Sequence, residues 1–223
     1  MNEKQYLAKS ENEMNYMLFY PDSYEDLPLL VYLHGAGERG GELSHLTRHA
    51  IPKLVHEGRE YPAVILCPQC PKEYVWDNVT AMLKTLIDKI VNEFEIKRDR
   101  ICITGSSMGG YGTWMMGLAY PNFFSAIGPI AGGGMSWRAR NLRNTPVYVA
   151  HGKLDTTVPI TCSELMVNEL KKHGGEVEFH VLENHGHNDG INYAYASTNL
   201  IEWLLSKRRT DFTPIPDVCS EYF

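Results

Sequence analysis

The chain has 223 residues, 43% hydrophobic and 22% charged, with a net charge of −6. This is the composition of an ordinary globular protein, without the basic stripe that nucleic-acid phosphates require and without an apolar run long enough to span a membrane. Five scattered cysteines and an N-terminus, "MNEKQYLAKSENEMN", that does not read as a secretory leader make the cytoplasm the expected location.

The length fits one α/β domain covering residues 1–223. Its first ~20 residues, with the aromatic-rich "MNYMLFY", predict an antiparallel edge to a sheet. A buried strand follows at 28–34, ending in the glycine-rich turn "LHGAGERGG" (33–41). Glu38 and Arg39 in that turn could touch substrate, but a local ion pair that pins the loop is the stronger expectation. His45 and His49, four residues apart, could share a helix face, but no third metal ligand accompanies them.

A second buried strand spans 63–68 and runs into "CPQCP". The prolines in that stretch disfavour a redox pair, so Cys67 and Cys70 read as small buried residues. A helix is predicted over 79–94, where Met82, Leu83, Leu86, Ile87, Ile90, Val91 and Phe94 form one apolar stripe. The strand 100–105 then enters "GSSMG" (105–109), and "MGGYGTWMMGLA" behind it reads as a helix.

Within "GSSMG" the pattern G-x-S-x-G selects Ser107, flanked at two residues by Gly105 and Gly109; Ser106 has Thr104 and Met108 there. Composition alone would produce such a match roughly 0.08 times in a chain like this. A serine on a sharp strand-to-helix turn needs small flanking residues, because larger side chains would collide with neighbouring backbone.

Strands at 125–131, 146–152 and 177–182 complete the alternation, with helices at 159–173, ending in "KKHGG", and at 193–206. The basic run 207–209 reads as a solvated helix end. The tail "DVCSEYF" gives no indication of whether it docks. Strand–helix alternation of this kind predicts a mainly parallel sheet covered on both faces, with functional residues at the strands' carboxyl ends.

Two loops meet that condition. "HGKLDTTVP" (151–159) offers Asp155 as an orienting carboxylate, and "ENHGHND" (183–189) offers His185 and His187 as bases. Imidazole suits the task because its ordinary pKa near ~6.5 allows it to take and return a proton at neutral pH. The order Ser…Asp…His, one group after each successive strand, is the one this architecture uses. The N–H groups of Ala36, in the glycine-rich turn, and Met108, after the serine, are the candidates to hold an oxyanion.

From about residue 14 to 206 these stretches resemble the α/β-hydrolase superfamily. They are most similar to bacterial phospholipase/carboxylesterase and polyhydroxybutyrate-depolymerase-like esterases, often labelled predicted peptidases. The likeness rests on "YLHGAGERG", "CPQCP" with Trp76 following, "GSSMGGYGTW", "PIAGGG", "HGKLDTTVP" and "GHND…NYAY". It implies His187 rather than His185 as base, and it implies Gln69 and Trp76 beside the acyl or alcohol pocket. At 189–191 "DGI" stands where relatives often carry tryptophan or small residues.

The expected activity is hydrolysis of a carboxylic ester through an acyl-enzyme, with no metal or organic cofactor. With short loops and no large cap domain, short acyl groups or exposed acetyl or feruloyl esters on polysaccharides are the expected substrates. The partner is then a small-molecule or glycan-linked ester, not nucleic acid or membrane. A peptidase or thioesterase would use the same residues, and a non-catalytic binding module is the reading from outside enzymology.

Overall fold

In the computed structural model, which describes residues 1–213 and 215, eight strands form one sheet in the order β1-β2-β4-β3-β5-β6-β7-β8. The strands are β1 (Asn2–Tyr6), β2 (Tyr16–Tyr20), β3 (Leu29–Leu33), β4 (Val64–Pro68), β5 (Ile101–Ser106), β6 (Ala126–Ile130), β7 (Val147–Gly152) and β8 (Val177–Leu182). From β4 to β8 the neighbours run parallel, while β1 and β2 pair antiparallel at one edge. The predicted antiparallel edge and the six predicted strands are all found, but β8, at the other edge of the sheet, is not buried as expected: only Leu182 of its residues is. The outermost strand, "NEKQY", is mostly exposed and charged, which discourages pairing with another chain.

Alternate side chains of the central strands enter opposite core layers. Leu29, Val31, Leu33, Ile101 and Ile103 pack with α2 (Thr80–Glu93), α3 (Met108–Ala119) and α4 (Thr161–Lys172). Leu30, Tyr32, Cys102 and Ala126 pack with α1 (Ala50–His56), α5 (His187–Ser197) and α6 (Leu200–Ser206) on the other face. Burial on both faces is why the central strands are continuous apolar runs rather than alternating ones.

Three expectations need correction. The helix predicted over 193–206 is two helices, beginning at His187 and broken at Thr198, where the Thr198 hydroxyl bonds the Ala194 carbonyl and receives the Leu200 N–H. His45 lies on a 3₁₀ turn (Leu43–Arg48) and His49 is extended, so the two do not share a helix face. Arg209 is not solvated: it is 5% exposed, and its guanidinium donates to the carbonyls of Phe124, Asp211 and Asn144 and to the side chains of Asn122 and Thr145.

Strand order places the site. From β3 the chain steps outward to β4, then crosses back to β5 on the other side of β3. Ligands bind where winding reverses in such sheets, here at the carboxyl ends of β3 and β5. "LHGAGERGG" leaves the first of these strands and "GSSMG" leaves the second.

Candidate active site

Ser107 sits between β5 and α3 with φ 56° and ψ −119°, a left-handed conformation strained for a residue with a side chain. Its N–H donates to the Ile130 carbonyl of β6 at 3.0 Å. The glycines around it are a steric requirement. A Cβ at Gly109 would lie 1.9 Å from the Leu33 carbonyl oxygen, and one at Gly105 would lie 2.4 Å from that of Gly109. The helix must approach the strand ends so closely that no methyl fits. Ser106 turns the other way, its hydroxyl buried 3.3 Å from that of Tyr32.

The Ser107 Oγ lies 2.9 Å from His187 Nε2, and His187 Nδ1 lies 2.6 Å from Asp155 Oδ2. His187 opens α5, where Gly186 is the N-cap and the Asp189 carboxylate accepts the Gly186 N–H. His185 points elsewhere, its ring 4.5 Å from that of Tyr193.

Asp155 is held from both ends. Its Oδ1 accepts the N–H groups of Thr157 and Val158, at 2.9 and 2.8 Å. Burial alone would raise its pKa, but the hydrogen bond from His187 and these two amides outweigh that and leave it below the ordinary aspartate value.

A second buried imidazole, His151, stands 3.3 Å from the same Oδ2, with its Nε2 donating to the Val158 carbonyl. The Ser163 hydroxyl oxygen lies 2.8 Å from its Nδ1 and 2.7 Å from the Gly132 carbonyl, and its one proton goes to one or the other. Burial lowers the His151 pKa and favours the neutral ring. This histidine was not singled out from the sequence, although its i,i+4 spacing to Asp155 was visible there.

The glycine-rich turn forms the opposite wall. Ala36 begins a short 3₁₀ turn (Ala36–Glu38) and Met108 begins α3. As first residues of helices, neither has a partner for its N–H within its own helix. The cleft between the turn and α5 has a volume of about 210 Å³ and is lined by Gly35, Ala36, Glu38, His49, Ser107, His187, Asn188, Ile191 and Asn192 among others. A larger surface depression of about 650 Å³, beside Asn2, Asp22 and Tyr61, holds no comparable set of groups.

Gln69 and Trp76 do not line this cleft; both are buried behind the turn and hold it in place. The Gln69 amide donates to the carbonyls of Glu38, Gly40 and Glu42 at 3.0–3.3 Å, and its oxygen accepts from Asn15. Trp76 Nε1 donates to the His34 carbonyl at 3.0 Å. The Cys70 N–H donates to His34 Nε2, so the ring proton sits on Nδ1 and is given to the Gly35 carbonyl. Burial pushes the His34 pKa down to about 4, which keeps this ring neutral. "CPQCP" and the following tryptophan are therefore a clamp on the turn. Cys67 and Cys70 are buried free thiols, as expected, and burial raises the Cys70 pKa to about 12.

The expected Glu38–Arg39 pair does not form. Arg39 donates to the Tyr74 carbonyl, and the Glu38 carboxyl turns inward to the cleft, 5% exposed. Sequence reasoning also missed Asn188, Ile191 and Asn192; their spacing on the helix that starts at His187 was the available signal.

Comparison with known proteins agrees with this architecture. The chain is similar to a thermostable esterase of known structure, at 29% identity and TM-score 0.79, over 93% of this chain. It spans 63% of that protein's length. A feruloyl esterase module from Clostridium thermocellum, complexed with sinapinate, shares the fold at 13% identity and TM-score 0.73, covering 96% of this chain and 91% of the module. Esterase PE8 does so at 21% identity and TM-score 0.65, covering 82% and 97%. No curated protein sequence matches the chain. The phospholipase/carboxylesterase family model matches residues 61–192, more than half the length, a span that includes Ser107, Asp155 and His187. The chain belongs to the phospholipase/carboxylesterase family of α/β-hydrolases.

Proposed function

We propose that the protein is a serine hydrolase of carboxylic esters, with Ser107, His187 and Asp155 as its triad. The observation that carries this reading is the unbroken chain from Ser107 Oγ to His187 at 2.9 Å and from His187 to Asp155 at 2.6 Å, at the edge of the sheet where a cleft opens. Asp155 accepts a hydrogen bond from the Nδ1–H group, which fixes the tautomer and leaves the Nε2 lone pair aimed at the serine hydroxyl.

His187 takes the Ser107 proton as Oγ bonds to the ester carbonyl carbon. The carbonyl oxygen becomes an alkoxide and is met by the N–H groups of Ala36 and Met108, each such donor typically worth about 3 kcal/mol of barrier. When the tetrahedral adduct collapses, the carbon–alkoxy bond breaks and His187 gives its proton to the departing alcohol. Water, deprotonated by His187, then attacks the acyl-enzyme and releases the acid and the free serine.

The cleft's volume of about 210 Å³ supports short acyl groups, or larger esters held mostly outside it. Acetyl and feruloyl esters exposed on polysaccharides belong to that second class. The test is a parallel set of ester, thioester and amide substrates. The ester should turn over fastest, acyl chains of twelve or more carbons should turn over slowly, and Asp155→Asn should lower kcat by about 10⁴ through the wrong imidazole tautomer. Preferred cleavage of amides, or full activity in Asp155→Asn, would overturn the reading.

A further inference from the structure

We propose that Glu38 receives a hydroxyl of the substrate's alcohol moiety, so that the cleft selects esters of polyhydroxy alcohols, such as glycerol or sugars, with a free hydroxyl beside the acylated oxygen. This rests on the esterase reading above and names the substrate class of the same site. Glu38 is 5% exposed and lines the cleft with Ser107 and His187. Its carboxyl lies 3.5 Å from where a Cβ on Gly35 would stand, and that point is 3.8 Å from the Ser107 Cβ. The acid is thus within a small alcohol's reach of the nucleophile.

Among the described residues no other side chain gives this carboxyl a hydrogen bond. The imidazoles of His34 and His49 are 4.0 Å away, and the His34 Nδ1 proton is already committed to the Gly35 carbonyl. Its own backbone N–H bonds this buried carboxyl, which keeps further acceptor capacity that a ligand hydroxyl would fill. Burial raises its pKa, opposed by His49, by its own backbone N–H and by Arg48 and His45.

The side of the ester follows from proton traffic. His187 returns its proton to the leaving oxygen, so the alcohol departs along the face of α5. That face continues from His187 through Asn188, Ile191 and Asn192 in the cleft that Glu38 lines from the turn. The two asparagine amides add further donors and acceptors for a polyol.

The test compares kcat/KM for glycerol 1-monoacetate with that for its 2,3-di-O-methyl ether, in the same preparation, so that the ratio does not depend on the amount of active enzyme. The wild type should favour the free diol by about tenfold or more. Glu38→Ala should bring the ratio to within about twofold of unity, while Glu38→Gln, whose carbonyl still accepts, should keep most of the preference. If Glu38→Ala does not fold, Glu38→Met removes the acceptor at similar length. A wild-type ratio near one, or a wild-type ratio in the alanine or methionine variant, overturns the inference. A fluorophosphonate probe separates the two readings. A labelled enzyme with a ratio near one refutes only the role of Glu38, whereas an unlabelled enzyme refutes the serine-hydrolase reading itself.

Discussion

Two glycine-rich segments flank Ser107 in space, and they are glycine-rich for different physical reasons. Around "GSSMGG" the backbone of α3 is driven against the ends of β3 and β5, and added methyls at Gly105 and Gly109 would lie 2.4 and 1.9 Å from carbonyl oxygens. In "GAGERG" a methyl at Gly37 would meet nothing within 4 Å, and the crowded glycine is the last one, Gly40, at φ 62°, where a methyl would lie 2.7 Å from the Lys72 Cβ. The first segment is shaped by exclusion of volume. The second is shaped by hydrogen bonds from outside, through Gln69, Trp76 and His34. A glycine count treats them alike; the chemistry of their neighbours does not.

The difference can be broken at four points. Gly109→Ala should be the most damaging, costing more than about 4 kcal/mol or abolishing folding, because neither colliding partner is a movable side-chain end. Soluble expression and a urea melt would report it. A melt within about 1 kcal/mol of wild type would refute the packing account.

Next comes the clamp's pH dependence. His34 is neutral when folded, with a pKa near 4 against an ordinary 6.5. The unfolded chain therefore binds the extra proton first as pH falls. The stability this ring contributes is full above pH ~6.5 and is lost on the way down to ~4, by about 3 kcal/mol. Denaturant melts at pH 7 and pH 4 should show that His34→Gln loses less on acidification than wild type does. Equal losses would show that the ring is not what titrates.

Gln69→Ala should lower kcat by about ten- to a hundredfold, since it frees the turn that carries Ala36 without touching Ser107 or His187. Unchanged kinetics would mean that the turn holds its shape unaided. Gly37→Ala should be the mildest change, shifting stability by less than about 1 kcal/mol, with a gain from reduced freedom of the unfolded chain as plausible as a loss. A cost above about 2 kcal/mol would erase the contrast between the two segments.

Much of the architecture was legible because buried parallel strands need unbroken apolar runs. "RICITG" and "PVYVAHG" mark strands that begin and end within a residue of those observed. Positions at strand ends were legible for the same reason, which is how the loops of Ser107, Asp155 and His187 could be picked out; the G-x-S-x-G register then chose Ser107 over Ser106, and the family resemblance chose His187 over His185. Side-chain direction in irregular segments was not. Nothing in "CPQCP" says whether Gln69 faces substrate or the backs of three carbonyls, since no periodicity governs a loop.

Arg209 was misread because a basic run usually means solvent, and only the fold assembles the five acceptors that allow its burial. Glu38 was misread because adjacent opposite charges suggest a pair, whereas adjacent residues on a tight turn point apart. The break at Thr198 was there to be seen as a threonine beside an asparagine, but the apolar stripe running through it was the louder pattern.

The central claim is that the hydroxyl at 107, and not its neighbour at 106, is the activated one. Peptide mapping after reaction with a fluorophosphonate tests it most directly. The account predicts a single phosphonylated serine, Ser107, with labelling abolished in Ser107→Ala, retained in Ser106→Ala, and slowed in His187→Ala. An adduct on Ser106, or labelling that survives Ser107→Ala, would contradict it.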